Sequence, residues 1–168
     1  MQSIQEDIEG LRIQLNKGSI QKAYRAIISF MMELRTHFAP MYGDSAVSAL
    51  YQGYMDMTYF ALFPPSLKHH GLKLAIVFNY DAFRFEAWLA ARNRKIQQQY
   101  WELFNESKWA EYQVVSPATG IDSIVECVLA QDFNIDDSDK LILQIENTAV
   151  KFINDMEKYL SEHQLKTA

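Results

Sequence analysis

A lone cysteine, Cys127, leaves the chain without an intrachain disulfide and without the paired thiols of a structural zinc site. Cys127 lies in the apolar run 123–130, where a small strand residue, buried or half-buried, is the plain expectation. A nucleophilic thiol needs a neighbouring base and a lowered pKa, and the flanking residues carry no signature of either. Glycine is scarce as well. The six present form no Gly-rich phosphate loop and no nucleophile elbow. Basic residues are outnumbered, 16 Lys and Arg against 21 Asp and Glu, for a net charge of −5. That balance argues against sequence-independent binding to a nucleic-acid backbone, which needs a basic surface.

Long hydrophobic runs are missing too. Residues 26–34 are interrupted by Ser29 and Glu33, so no stretch reaches membrane-spanning length. Residues 1–10 are polar and acidic, without the basic start and apolar centre of a signal peptide. The expectation is a cytoplasmic protein with no membrane partner.

What is present reads as an ordinary globular chain: 49% apolar and 22% charged over 168 residues, enough for one domain with a substantial core. Ile4, Ile8, Leu11 and Leu15 recur at helical spacing behind a capping box of Ser3 and Glu6. Gly18 stops that helix, and Ser19 starts a second with Ile20, Tyr24, Ile27, Met31 and Leu34 on one stripe. The pair is expected to lie antiparallel, with the second helix ending near Phe38 ahead of Pro40. Residues 44–51 suggest a further short helix capped by Asp44 or Ser45.

The grammar then changes to strands. Residues 54–63, 72–80 and 83–89 are dense in aromatic and β-branched residues and are punctuated by Pro64-Pro65, Gly71 and Asp81-Ala82. Alternation puts Leu72, Leu74, Ile76 and Phe78 on one face, and Phe85, Ala87 and Leu89 opposite Arg84, Glu86 and Trp88. A helix over 93–105, strands over 111–115 and 123–130, and a long helix over 138–163 complete the chain. The layout predicts an α+β single domain spanning 1–168. Its first 50 residues are mainly helical, and 54–130 form an antiparallel sheet of about five strands with the inserted helix.

Candidate chemistry converges on the mixed face of that sheet. Asp56, Arg84 and Glu86 have parities that place them beside Trp88. Arg92 and Arg94 open the inserted helix, where positive side chains oppose the helix dipole and suit an anionic ligand. Ion pairing with Glu102, Glu106 or other acids, or plain solvation, accounts for the same arginines. Paired acids near a cation can hold a metal or move protons, but they also make ordinary cross-strand ion pairs. The adjacent His69 and His70 lack a second cluster at metal-ligand spacing. No catalytic residue, metal ligand or cofactor motif is identified.

Four phrases, Tyr54-Met-Asp-Met-Thr-Tyr-Phe60, Leu72-Lys-Leu-Ala-Ile-Val-Phe78, Phe83-Arg-Phe-Glu-Ala-Trp-Leu89 and Tyr100-Trp-Glu-Leu103, resemble a family of small bacterial proteins of unknown function. The likeness spans about residues 17–159 and implies a bacterial cytoplasmic protein, with no catalytic residues to transfer. The strand pair followed by a helix is also distantly similar to nuclease-associated accessory domains, but Glu86 is followed by Ala87 and Trp88 with no lysine.

Three functional readings follow. The first is a non-catalytic domain that recognises a small anionic ligand or a protein partner through Asp56, Arg84, Glu86, Trp88, Arg92 and Arg94. The second is a hydrolase using a divalent metal between Asp56 and Glu86 on a phosphorylated or nucleic-acid substrate. The third is a homo-oligomer joined through apolar helix faces.

Overall fold

The computed structural model describes residues 1–43, 46–107 and 109–165. Two helices come first, α1 (Ile4–Asn16) and α2 (Ser19–Tyr42), joined through Gly18, whose φ of 79° suits a residue without a Cβ. The capping box forms: Ser3 Oγ accepts from the Glu6 N–H at 3.2 Å, and Glu6 Oε2 accepts from the Ser3 N–H at 2.7 Å. Strand β1 (Met57–Leu62), the short helix α3 (Pro65–Lys68), β2 (Leu72–Asn79) and β3 (Arg84–Ala91) follow. Helix α4 (Arg94–Glu106), β4 (Gln113–Val114), β5 (Ser123–Ala130) and α5 (Ser138–Glu162) complete the order.

The five strands make one antiparallel sheet in the order β1-β2-β3-β5-β4, and the chain is a single α+β domain. Register explains its two faces. Phe60 pairs Ile76 and Ile76 pairs Ala87, while Phe78 pairs Phe85, so these side chains share one face. Helices α2 and α5 pack there. Phe30 of α2 meets the Phe85 ring edge-on at 5.3 Å, and Ile145, Ala149, Phe152 and Met156 of α5 are fully buried. The opposite face carries Tyr59, Lys73, Ala75, Glu86 and Trp88, again in register across β1, β2 and β3. Among the described residues, no helix is long and apolar enough to cross a membrane.

Several boundaries differ from the sequence expectations. Helix α2 runs through Pro40 to Tyr42 instead of ending near Phe38. A proline removes one hydrogen bond, and in the last turn little helix remains downstream to be displaced. The helix ends at Gly43, which has a φ of 82°.

Of the expected helix over 44–51, Ala46 is 3-10 helical, its N–H donating to the Gly43 carbonyl at 2.9 Å. Residues 47–51 are not helical, and the proposed caps, Asp44 and Ser45, lie outside the described residues. Backbone groups of 47–51 bond to β1 instead. The Ser48 N–H donates to the Ala61 carbonyl at 2.9 Å, Tyr51 and Tyr59 exchange two bonds, and isolated bridges join Val47 to Leu62 and Tyr51 to Tyr59. Strand β1 starts at Met57, not at 54, because Gly53 and Met55 adopt positive φ in a turn. The expected strand 111–115 shrinks to two residues, and α3 was not foreseen.

Candidate functional site

A cleft of about 490 Å³ opens on the sheet face opposite α2 and α5. Its floor is Lys73 and Ala75 of β2, with Ala90 beside them on β3. Small side chains at Ala75, Ala90 and Ala91 leave the room that larger ones would fill. On one side stand Tyr51 and Tyr59, their ring centres 5.1 Å apart. Tyr51 reaches the cleft only because residues 47–51 run along β1. Trp88 and the start of α4 form the other side.

Trp88 is held by an acid beneath it. Arg84, Glu86 and Trp88 alternate on one face of β3, so their side chains form a row. Glu86 is only 2% exposed. Its Oε1 accepts from the Trp88 indole N–H at 3.0 Å and from Asn79 Nδ2 at 3.1 Å, and its Oε2 accepts from Arg84 Nε at 2.7 Å. A carboxylate surrounded by three donors is a satisfied buried charge and an anchor for the indole ring.

The arginines expected at the helix start divide into two kinds. Arg94 is engaged: Nη1 donates to Gln97 Oε1 at 2.8 Å and to the Ile121 carbonyl, and Nη2 lies 3.1 Å from Asp122. Buried Gln97 adds a bond from Nε2 to the same Ile121 carbonyl at 3.0 Å, so the α4 start grips the loop that leads into β5. Arg94 thus pairs with an acid, as the structural alternative expects, and the acid is Asp122. Arg92 is exposed and forms no salt bridge among the described residues, and neither does half-buried Lys73. Gly71 makes space for Arg92. A Cβ there would lie 3.3 Å from Arg92 Nε and 2.9 Å from Ile96 Cδ1. Asn93 caps α4, accepting from the Ile96 N–H at 2.9 Å.

Of the six expected site residues, Trp88, Arg92 and Arg94 line the cleft. Arg84 and Glu86 face an adjoining groove with Glu111, Tyr112 and Glu126. Asp56 is a correction: it lies in the turn before β1, not on the strand face. Its Oδ1 accepts from the Tyr54 N–H at 2.9 Å, and the Tyr54 and Met57 N–H groups hold its carboxyl below the usual range.

Register places Asp56 beyond Met57, which is two strands from Arg84. Asp56 and Glu86 are thus separated by two strand spacings, roughly 10 Å, and by three residue steps along the strands, roughly another 10 Å. The pair does not share a coordination sphere. Among the described residues, no group of three or more His, Cys, Asp or Glu side chains is placed to hold a metal ion. Cys127 is buried, and desolvation pushes its thiol up to about 11, which fits a structural strand residue.

Lys73, Tyr51 and Asp122 are not among the residues the sequence points to. The parity of Lys73 was readable, since it alternates with Leu72 and Leu74. Tyr51 depends on the long-range pairing of residues 47–51, which leaves no local signal.

No curated protein and no solved structure matches the chain. A family model described as a domain of unknown function (DUF7000) matches residues 4–160, and the chain belongs to that family.

Proposed function

We propose that the chain is a non-catalytic binding domain whose sheet-face cleft takes a small organic anion with a flat apolar portion. One observation carries the reading: in a chain of net charge −5, two cations without salt-bridge partners among the described residues, Lys73 and Arg92, border a cleft walled by Tyr51, Tyr59 and Trp88. The cations supply charge complementarity and the rings supply stacking surface. Arg94 shapes the rim while it holds Asp122. Arg84 and Glu86 act from below by fixing the Trp88 indole, and Asp56 shapes the turn ahead of β1. The resemblance to small bacterial proteins and the single unpaired cysteine support a bacterial cytoplasmic setting.

Phenyl phosphate and inorganic phosphate are suitable probes, read by tryptophan emission and titration calorimetry. Phenyl phosphate is expected to bind more tightly than inorganic phosphate, and a Lys73→Ala/Arg92→Ala variant is expected to lose at least roughly tenfold in affinity. Equal binding of both probes by the native chain and the variant sinks the proposal.

A further inference from the structure

Helix α1 is well signalled yet poorly covered. It has 13 residues, a capping box and no buried residue. Isolated helices of that length are marginal in water, and most helical stability in proteins comes from packing an apolar face. Its apolar stripe is nevertheless open: Ile4 is 74%, Ile8 53% and Leu11 51% exposed, with Leu15 half-buried near the turn. Helix α2 therefore leaves most of that stripe uncovered.

The stripe has a specific spacing. Ile4, Ile8, Leu11 and Leu15 are separated by four, three and four residues, the alternation of a coiled-coil seam. Taking Ile8 and Leu15 as a positions makes Ile4 and Leu11 d positions. Asp7 then falls at g and Arg12 at the following e. In a parallel pair, g of one helix faces the next e of the other, so Asp7 meets the opposite charge of Arg12 on the second copy. In an antiparallel pair that buries the whole seam, Ile4 faces Leu15 and Ile8 faces Leu11, so Asp7 comes beside Gln14 and Arg12 beside Gln5, and neither charge meets an opposite one. Charge thus selects the parallel arrangement. Arg12 already pairs with Glu9 on its own helix, Nε to Oε2 at 2.9 Å, yet it remains exposed and has further N–H groups to offer.

We propose that α1 pairs in parallel with α1 of a second copy of this chain, burying the Ile4–Ile8–Leu11–Leu15 seam about a twofold axis. This assignment stands on α1 alone and is independent of the sheet-face cleft.

Sedimentation of the full chain over a wide concentration range tests it. A dimer is expected, and Leu11→Glu is expected to weaken it by on the order of a hundredfold. Because α1 supplies no buried residue, that variant should keep native circular dichroism and tryptophan emission. Asp7→Arg alone should weaken the dimer, and Asp7→Arg/Arg12→Asp should restore it. On a Cys127→Ser background, Ile8→Cys is expected to form an intermolecular disulfide on oxidation, whereas Ile13→Cys, on the opposite side of the helix, is not. A chain that stays monomeric throughout overturns the proposal, as does a dimer indifferent to Leu11→Glu and Asp7→Arg. Either result would leave the stripe to a different protein partner or to closure against α2.

Discussion

At the scale of single residues, Glu86 is the most informative side chain in the molecule. A carboxylate that is 2% exposed on a face bordering a cleft invites a catalytic reading, but three donors already fill its oxygens. Its chemistry is positional. Replacing it with alanine leaves the Trp88 indole N–H, an Asn79 amide N–H and the Arg84 guanidinium without their acceptor. The expected cost is about 2–3 kcal/mol, moderated because Arg84 keeps access to water. Glu86→Gln retains one oxygen as acceptor and is expected to cost about 1 kcal/mol. Urea denaturation should rank native, Gln and Ala in that order. Only the Ala variant should also shift tryptophan emission to the red as the indole is released. A reversed order would show that the three contacts do not hold the ring.

At the scale of elements, α5 is tied to the segment that leads into β4 by side chains alone. Lys151 Nζ lies 2.7 Å from Asp155 and 3.4 Å from Glu111, and the Tyr112 hydroxyl donates to Asp155. Lys151 first, and then Tyr112, hold the Asp155 carboxyl below its ordinary value. A group with a depressed folded pKa contributes stability that is fully present above the unfolded value, about 3.9, and is lost as pH falls through the folded one. Asp155→Asn is therefore expected to lower stability by about 1 kcal/mol at pH 7. The gap should narrow as pH falls below about 4, measured by urea midpoints. A gap unchanged at low pH would assign the contribution to packing.

Legibility from sequence follows the same division between local and distant causes. Strands β2, β3 and β5 were visible because alternation is a local property, and α4 because Asn93 and the apolar stripe mark it. Within the expected helix 44–51, residues 47–51 are extended instead, because their bonding partners, Ala61 and Tyr59, are distant in sequence. Asp56 is displaced for a related reason: alternation over 54–63 breaks at Met55, whose φ is 62°. The candidate site inherits both outcomes. Trp88, Arg92 and Arg94 follow from β3 and the α4 start, while Lys73 and Tyr51 join the site only through the assembled sheet.

At the scale of the whole molecule, charge is unevenly distributed. The chain carries a net −5, yet Lys73, Arg92 and Arg94 face one cleft with Asp122 as the acid among its lining residues. The net charge disfavours an anion at long range, whereas among the cleft's lining residues three cations outnumber one acid. Phenyl phosphate affinity is expected to fall by roughly tenfold between about 0.01 and 1 M salt, because the screening length contracts from about 30 to 3 Å. Calorimetry at several salt concentrations measures the slope. A flat profile would assign binding to the aromatic walls alone.

The segment 47–51 has one more consequence, and it concerns the margin of the sheet. An unpaired outer strand is a template on which other chains can add, the first step toward fibrils. Here Ser48 and Tyr51 occupy hydrogen-bonding positions along β1, while the opposite margin is β4, only two residues long. One border is thus partly covered, while past Gln113 and Val114 the outer edge of β5 at residues 127–130 has no strand partner among the described residues, so strand addition is expected there first.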